Sequence, residues 1–87
     1  MVETILIVDD NRRNSSFLAG SVLPSLGYET LVVDTGQKGL DLLRQQAQSI
    51  DLVLLDLQLP DMTGLEWLRT LNSEYLQVPT ILMTASG

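Results

Sequence analysis

The sequence predicts an α/β domain built on a parallel β-sheet, and two observations carry this prediction. Short runs rich in aliphatic and β-branched residues alternate with stretches in which apolar residues recur at helical spacing. The connections between the strand-like runs leave room for a crossover helix and little more. The resulting βαβαβαβ order favours right-handed crossovers that place helices on both faces of the sheet.

Four segments are predicted to be strands. They are 4–10 (TILIVDD), 28–34 (YETLVVD), 51–56 (DLVLLD) and 78–86 (VPTILMTAS). Nearly continuous apolar runs of this length are typical of strands that are buried on both faces. Pro79 is compatible only with the beginning of the last strand, because proline cannot donate a ladder hydrogen bond.

The first helix is predicted over residues 12–26, where apolar residues recur at four-residue spacing. Asp10 or Asn11 is available as its N-cap, and Gly27 follows as a stop signal. Pro24 should kink or shorten the last turn, because it lacks a backbone N–H and its ring crowds the preceding turn.

Two further helices complete the alternation. Leucines at helical spacing predict one helix over residues 37–48, and Gly64 begins another with leucines along one side. Trp67 in that third helix is expected to pack partially against the core.

Composition restricts the available chemistry. The chain has 87 residues, enough for one compact domain, and its 11 acidic and 5 basic side chains give a net charge of −6. An acidic chain of this kind is a poor nucleic-acid surface, since phosphate binding needs clustered lysine and arginine. There is no cysteine or histidine. Together with the lack of an export signal or membrane-length apolar run, this predicts a cytoplasmic domain whose chemistry uses oxygen ligands.

Polar residues follow three of the predicted strands. Asp9 and Asp10 end the first run, Asp56 ends the third, and Thr84 lies near the end of the fourth. Because the carboxyl ends of parallel strands meet at one edge of a sheet, these side chains should share a rim. Clustered carboxylates repel one another, so the site should either raise a pKa or hold a cation. With oxygen ligands only, that cation should be Mg²⁺ or Mn²⁺.

Three stretches resemble the receiver domain of two-component response regulators. They are ILIVDDN with its acidic pair, DLVLLDLQLPDMTG with an aspartate followed by proline and glycine, and PTILMTA with its hydroxyl residue. The resemblance covers essentially the whole chain. It implies a flavodoxin-like, doubly wound parallel sheet whose strands lie in the order 2-1-3-4.

The resemblance also implies a role for each rim residue. Asp56 would accept a phosphoryl group from the phosphohistidine of a sensor kinase. Asp9 and Asp10 would help to bind Mg²⁺, together with Asp56 and the backbone carbonyl of Gln58. Thr84 would donate a hydrogen bond to the phosphoryl oxygens. The chain would act as a phosphoacceptor in signal transduction and not as a conventional enzyme.

The chain also departs from the family pattern. Receiver domains continue through a helix, a strand bearing a lysine and a final helix, whereas this sequence ends at Gly87. We therefore expect residues 1–87 to form an incomplete receiver domain with an unpaired fourth strand, which favours a homodimer through that edge. The alternative is a receiver-like interaction module that acts by oligomerisation with impaired or no phosphotransfer.

Two other classes agree less well with the sequence. A haloacid-dehalogenase-like phosphatase needs a second acid two residues after its aspartate, and position 58 is glutamine. A dinucleotide-binding unit needs a glycine-rich turn after the first strand, and DDNRRN contains no glycine.

Overall fold

The computed structural model describes residues 2–83 and contains one four-stranded parallel sheet. The strands are β1 (Thr4–Val8), β2 (Glu29–Val33), β3 (Leu52–Asp56) and β4 (Thr80–Met83). The helices are α1 (Arg12–Phe17), α2 (Leu23–Ser25), α3 (Gly36–Gln46) and α4 (Gly64–Ser73), with a π-helical turn at Leu18–Val22 and a 3-10 turn at Ala47–Ser49. The predicted α/β class is confirmed.

The strands lie in the order β2-β1-β3-β4, and every pair is parallel. This order agrees with the one implied by the resemblance. β1 is central, so Ile7 pairs with Val32 of β2 on one side and Leu54 of β3 on the other. The fourth strand begins at Thr80, two residues later than predicted, so Pro79 lies just before it and donates no ladder hydrogen bond. Positions 84–86 of the predicted strand lie outside the described residues.

The first helical region differs from the single helix predicted over residues 12–26. Asn11 is its N-cap, accepting a hydrogen bond from the Asn14 N–H at 3.1 Å. The wide π-helical turn comes immediately before the segment that contains Pro24. This position is consistent with a proline that lacks an N–H and crowds the carbonyl four residues earlier. Gly27, with φ of 91°, ends the region as predicted.

Threonines set the beginnings of the other two long helices. The Thr35 hydroxyl accepts a hydrogen bond from the Lys38 N–H, and Thr63 forms a reciprocal capping box with Glu66. Each of these caps satisfies N–H groups that have no partner within the helix. The helix predicted over 37–48 begins one residue earlier and gives way to the 3-10 turn after Gln46.

The main core lies between one face of the sheet and helices α3 and α4. It contains ten buried apolar side chains: Leu6, Val8, Leu40, Leu43, Ile50, Val53, Leu55, Leu59, Trp67 and Leu71. The prediction that Trp67 packs only partially is wrong, because its side chain is completely buried. Its indole N–H donates to the Gly36 carbonyl at 3.0 Å, which satisfies the polar atom of an otherwise apolar residue.

The opposite face has a smaller core. Ile5 and Ile7 of β1 pack with Leu23 of the first helical region. Helices therefore contact both faces, as predicted for a parallel sheet. The sheet is less well covered at β4, where Ile81 and Leu82 are 53% and 39% exposed. Within residues 2–83, no helix is both long and apolar enough to cross a bilayer.

Candidate functional site

The acidic residues lie where β1 and β3 end. Asp9 follows β1 directly, and its N–H donates to the Val33 carbonyl of β2 at 3.0 Å, which extends the ladder by one bond. Asp56 is the last residue of β3. Because β1 and β3 are neighbours in the sheet, their carboxyl ends bring Asp9 and Asp56 together.

Three carboxylates form one cluster. Oxygen atoms of Asp9, Asp10 and Asp56 lie within 4.8 Å of one another. Asp9 and Asp56 are buried, whereas Asp10 is exposed and faces solvent at the rim. The structure thus brings together the three acids that the sequence placed at this edge. Thr84, the fourth predicted member, lies outside the described residues.

Asp9 is held in one orientation by the beginning of α1. The Asn11 N–H donates to its Oδ1 at 2.9 Å, and the Asn14 side-chain amide donates to its Oδ2 at 2.8 Å. Both carboxylate oxygens of Asp9 therefore accept a hydrogen bond from the protein, as those of metal-binding carboxylates commonly do. Asn14 was missed by the sequence reasoning. The only signal was an amide five residues after the acid, in the first turn of a predicted helix.

Asp56 lies in an environment that disfavours its charge. Only 6% of the residue surface is exposed. Burial raises the pKa of Asp56 above its ordinary value, and the charges of Asp9 and Asp10 raise it further, against the lowering effect of the Gln58 N–H, which donates to Oδ1 at 3.3 Å. A nearby cation would therefore stabilise the ionised form of this buried carboxylate.

The loop after β3 folds back on itself. Gln58 and Thr63 form an antiparallel bridge, closed by Gly64 N–H to the Leu57 carbonyl at 2.7 Å and Leu59 N–H to the Met62 carbonyl at 3.0 Å. Both hydrogen bonds are made by the residues that flank Gln58 and Thr63, and neither is made by Gln58 or Thr63 itself. The bridge therefore does not engage the Gln58 carbonyl, which is the backbone ligand implied by the resemblance.

The donor set fits a hard divalent cation. The cluster offers carboxylate oxygens, and the chain has no histidine or cysteine that would favour a softer metal. Two unit charges 4.8 Å apart repel by about 3.5 kcal/mol at an effective dielectric of about 20. A bound Mg²⁺ or Mn²⁺ would replace this repulsion with attraction.

Two basic side chains, Arg12 and Lys38, line a cavity beside the acidic rim. Arg12, Lys38 and Asp34 line a cavity of about 280 Å³ together with Asp9. Lys38, the only lysine of the chain, donates to Asp34 at 2.9 Å. This hydrogen bond, with the lysine charge, lowers the pKa of Asp34. Lys38 is thus committed to an exposed ion pair.

Four parallel strands in the order β2-β1-β3-β4, with three acids at the carboxyl ends of β1 and β3, define a flavodoxin-like α/β domain. A family model described as the response regulator receiver domain matches residues 5–87. The chain belongs to this family, which places it in two-component phosphorelay signalling.

Individual relatives agree with this assignment. Polar-differentiation response regulators DivK of Brucella ovis and Brucella suis are each 38% identical over 88 residues, covering 98% of this chain and 68% of the relative. A structure of the MaeR response regulator bound to beryllium trifluoride is 33% identical, with a TM-score of 0.83 over 99% of this chain and 70% of that one. A receiver protein from Pseudomonas putida is 25% identical, with a TM-score of 0.80 over 97% and 69%. The chain thus spans about two thirds of the length of these relatives.

Proposed function

We propose that this chain accepts a phosphoryl group on Asp56 and relays it as a signal. The acidic cluster carries the proposal, because it places a buried carboxylate at the end of a central strand beside two further acids. Receiver-domain membership supports a phosphohistidine of a sensor kinase or phosphotransfer protein as the donor. The acceptor carries out at most its own phosphorylation and dephosphorylation, so it is not a conventional enzyme.

The reaction is an in-line phosphoryl transfer. An oxygen of the Asp56 carboxylate attacks phosphorus, an O–P bond forms, and the N–P bond to the donor histidine breaks with its electron pair remaining on the imidazole nitrogen. The attacking carboxylate must be ionised, which burial and the neighbouring acids oppose. A bound Mg²⁺ supplies the positive charge that favours the ionised carboxylate and offsets the charge of the phosphoryl oxygens.

Each residue of the rim has a part in this proposal. Asp9, Asp10 and Asp56 would hold the cation with the Gln58 backbone carbonyl, with waters completing its shell. Thr84, which lies outside the described residues, would donate a hydrogen bond to the phosphoryl group, as the resemblance implies. The modified rim would then change how the chain contacts a partner or output domain. A cytoplasmic location agrees with a kinase donor of this kind.

Beryllofluoride tests this function without a kinase. It forms a tetrahedral phosphoryl-like group on a carboxylate oxygen, and the related MaeR response regulator was solved bound to beryllium trifluoride. Fluorine NMR should show protein-bound resonances only when Mg²⁺ is present. They should vanish in Asp56→Asn and persist in Asp51→Asn, a control at the opposite end of β3. Bound resonances that survive in Asp56→Asn would refute Asp56 as the acceptor.

Exposed apolar side chains favour a second activity, association through the fourth strand. Ile81 and Leu82 are 53% and 39% exposed, and within residues 2–83 β4 is an edge of the sheet. Exposed strand edges of this kind recruit other chains. A second copy of the chain would form a two-fold homodimer through this edge. In that case the chain could act as an interaction module even with weak phosphotransfer.

Sedimentation at several protein concentrations tests the homodimer. We expect a monomer–dimer equilibrium that Ile81→Lys shifts to monomer, whereas Val2→Lys, at another exposed apolar residue, leaves it unchanged. A folded monomer at every concentration would contradict the association.

A further inference from the structure

Asp61, in the loop between β3 and α4, binds the beginning of a different helix. Its Oδ1 accepts a hydrogen bond from the Gly36 N–H at 2.8 Å, and its Oδ2 accepts one from the Gln37 N–H at 2.9 Å. These are the first two amides of α3, which have no partner within the helix. One carboxylate therefore links two segments that are 24 and 25 residues apart in sequence.

Two neighbours of Asp61 contact the same helix end. Met62 lies so close to Gly36 that a Cβ built on this glycine would be 2.6 Å from Met62 Cγ. The indole of Trp67 donates to the Gly36 carbonyl from a fully buried position. The beginning of α3 is thus held by an ionic cap, a methionine contact and an indole hydrogen bond, all from the chain that follows β3.

The other end of the same loop belongs to the acidic site. The Gln58 N–H donates to Asp56 Oδ1 at 3.3 Å, and the Leu59 N–H donates to the Met62 carbonyl at 3.0 Å. Asp61 thus lies within the turn that folds Met62 back towards Gln58 and Leu59. Its own carboxylate is exposed and points away to α3. Any effect of Asp61 on the site must therefore pass through the loop backbone.

We propose that Asp61 is a positioning residue: by binding the first two amides of α3, it fixes the loop that aims the Gln58 carbonyl at the cation site. This inference rests on the proposed function of the rim, because it assigns the Gln58 carbonyl as a metal ligand. Burial raises the pKa of Asp61, but hydrogen bonds from backbone amides, among them those of Gln37 and Gly36, outweigh it and leave the pKa below its ordinary value. This agrees with a carboxylate that remains charged at neutral pH beside the positive end of a helix.

A matched pair of substitutions separates positioning from helix stability. Asp61→Ala and Thr35→Ala each remove a cap from the N-terminus of α3, but only Asp61 belongs to the loop. We expect Asp61→Ala to weaken Mg²⁺ binding about tenfold by calorimetry, as loss of a group that orients a metal ligand does. Thr35→Ala should retain the affinity of the parent chain. Asp61→Asn, which keeps an acceptor oxygen, should lie between them and serves if the alanine variant fails to fold.

Hydrogen exchange without metal gives a second readout. The Leu59 and Gly64 amides, which close the loop bridge, should exchange about fivefold faster in Asp61→Ala, the change expected for loss of one cap. They should exchange at the parent rate in Thr35→Ala.

The outcomes distinguish the two proposals. Absence of Mg²⁺ binding in the folded parent chain would overturn the proposed cation site, and exchange would then decide whether Asp61 fixes the loop. Equal Mg²⁺ affinity in the parent, Asp61→Ala and Thr35→Ala would overturn the positioning role while leaving the site intact. Equal exchange rates in the three chains would overturn it as well.

Discussion

Replacing Asp56 with asparagine should stabilise the metal-free protein. The substitution removes one charge from a cluster whose carboxylate oxygens lie within 4.8 Å of one another. Two unit charges 4.8 Å apart repel by about 3.5 kcal/mol at an effective dielectric of about 20, and water around the exposed Asp10 weakens its share of this repulsion. We therefore expect the free energy of unfolding at neutral pH to rise by about 1–3 kcal/mol. Asparagine retains an oxygen that can accept the Gln58 N–H.

The pH dependence of this gain has a definite sign. The pKa of Asp56 is raised in the folded state, chiefly by burial and further by its acidic neighbours. The protonated carboxyl therefore contributes stability below its ordinary pKa of 3.8, and this contribution is lost as pH rises through the folded-state pKa. The advantage of Asp56→Asn should consequently be full at neutral pH and vanish below a pH of about 3.8.

Urea unfolding followed by Trp67 fluorescence and circular dichroism measures the effect. The experiment is done in metal-free buffer at both pH values, with Asp51→Asn as the matched control. Asp51 lies before β3 and accepts a hydrogen bond from the Thr4 N–H, so its replacement should give no gain. The reasoning is refuted if Asp56→Asn is no more stable than the parent at neutral pH. A gain that is equal at both pH values would refute the electrostatic origin.

Two further substitutions test the backbone arrangement. Gly64→Ala should destabilise the fold by about 1–3 kcal/mol, because its Cβ would lie 2.8 Å from the Asp56 carbonyl oxygen. Gly20→Ala is its control, since a Cβ there meets nothing within 4 Å; equal unfolding free energies for the two variants would contradict the close approach. Tyr75 follows α4 with φ of 57° and is 89% exposed, so Tyr75→Gly should stabilise by up to about 1 kcal/mol in urea unfolding. A loss of stability would show that the tyrosine side chain makes a contact worth more than the strain.

The sequence allowed the sheet and its acidic rim to be predicted for a simple reason. Buried parallel strands are local patterns of aliphatic residues, and their carboxyl ends meet whatever the details of packing. An acid directly after such a run, as Asp9 and Asp56 are, is therefore placed by topology alone. Gly27 and Pro79 likewise act through their own backbones: glycine can adopt a positive φ, and proline cannot donate a ladder hydrogen bond.

What the sequence did not reveal depends on contacts between distant segments. The complete burial of Trp67 depends on Gly39 of α3, because a Cβ there would lie 3.3 Å from the indole nitrogen. The indole N–H in turn needs the Gly36 carbonyl as its acceptor. Asp61 has the appearance of an ordinary turn acid until α3 lies beside it. The π-helical turn before Pro24 was also missed, because a proline predicts a disturbance of the helix without fixing its form.

Intact-mass spectrometry after treatment with acetyl phosphate tests the central claim most directly. In the presence of Mg²⁺ the parent chain should gain the mass of one phosphoryl group, and it should gain none when Mg²⁺ is removed. Asp56→Asn should show no gain, whereas Asp51→Asn should behave as the parent does. A folded parent chain that remains unmodified, or an adduct of the same mass on Asp56→Asn, would contradict the assignment of Asp56 as the phosphoacceptor.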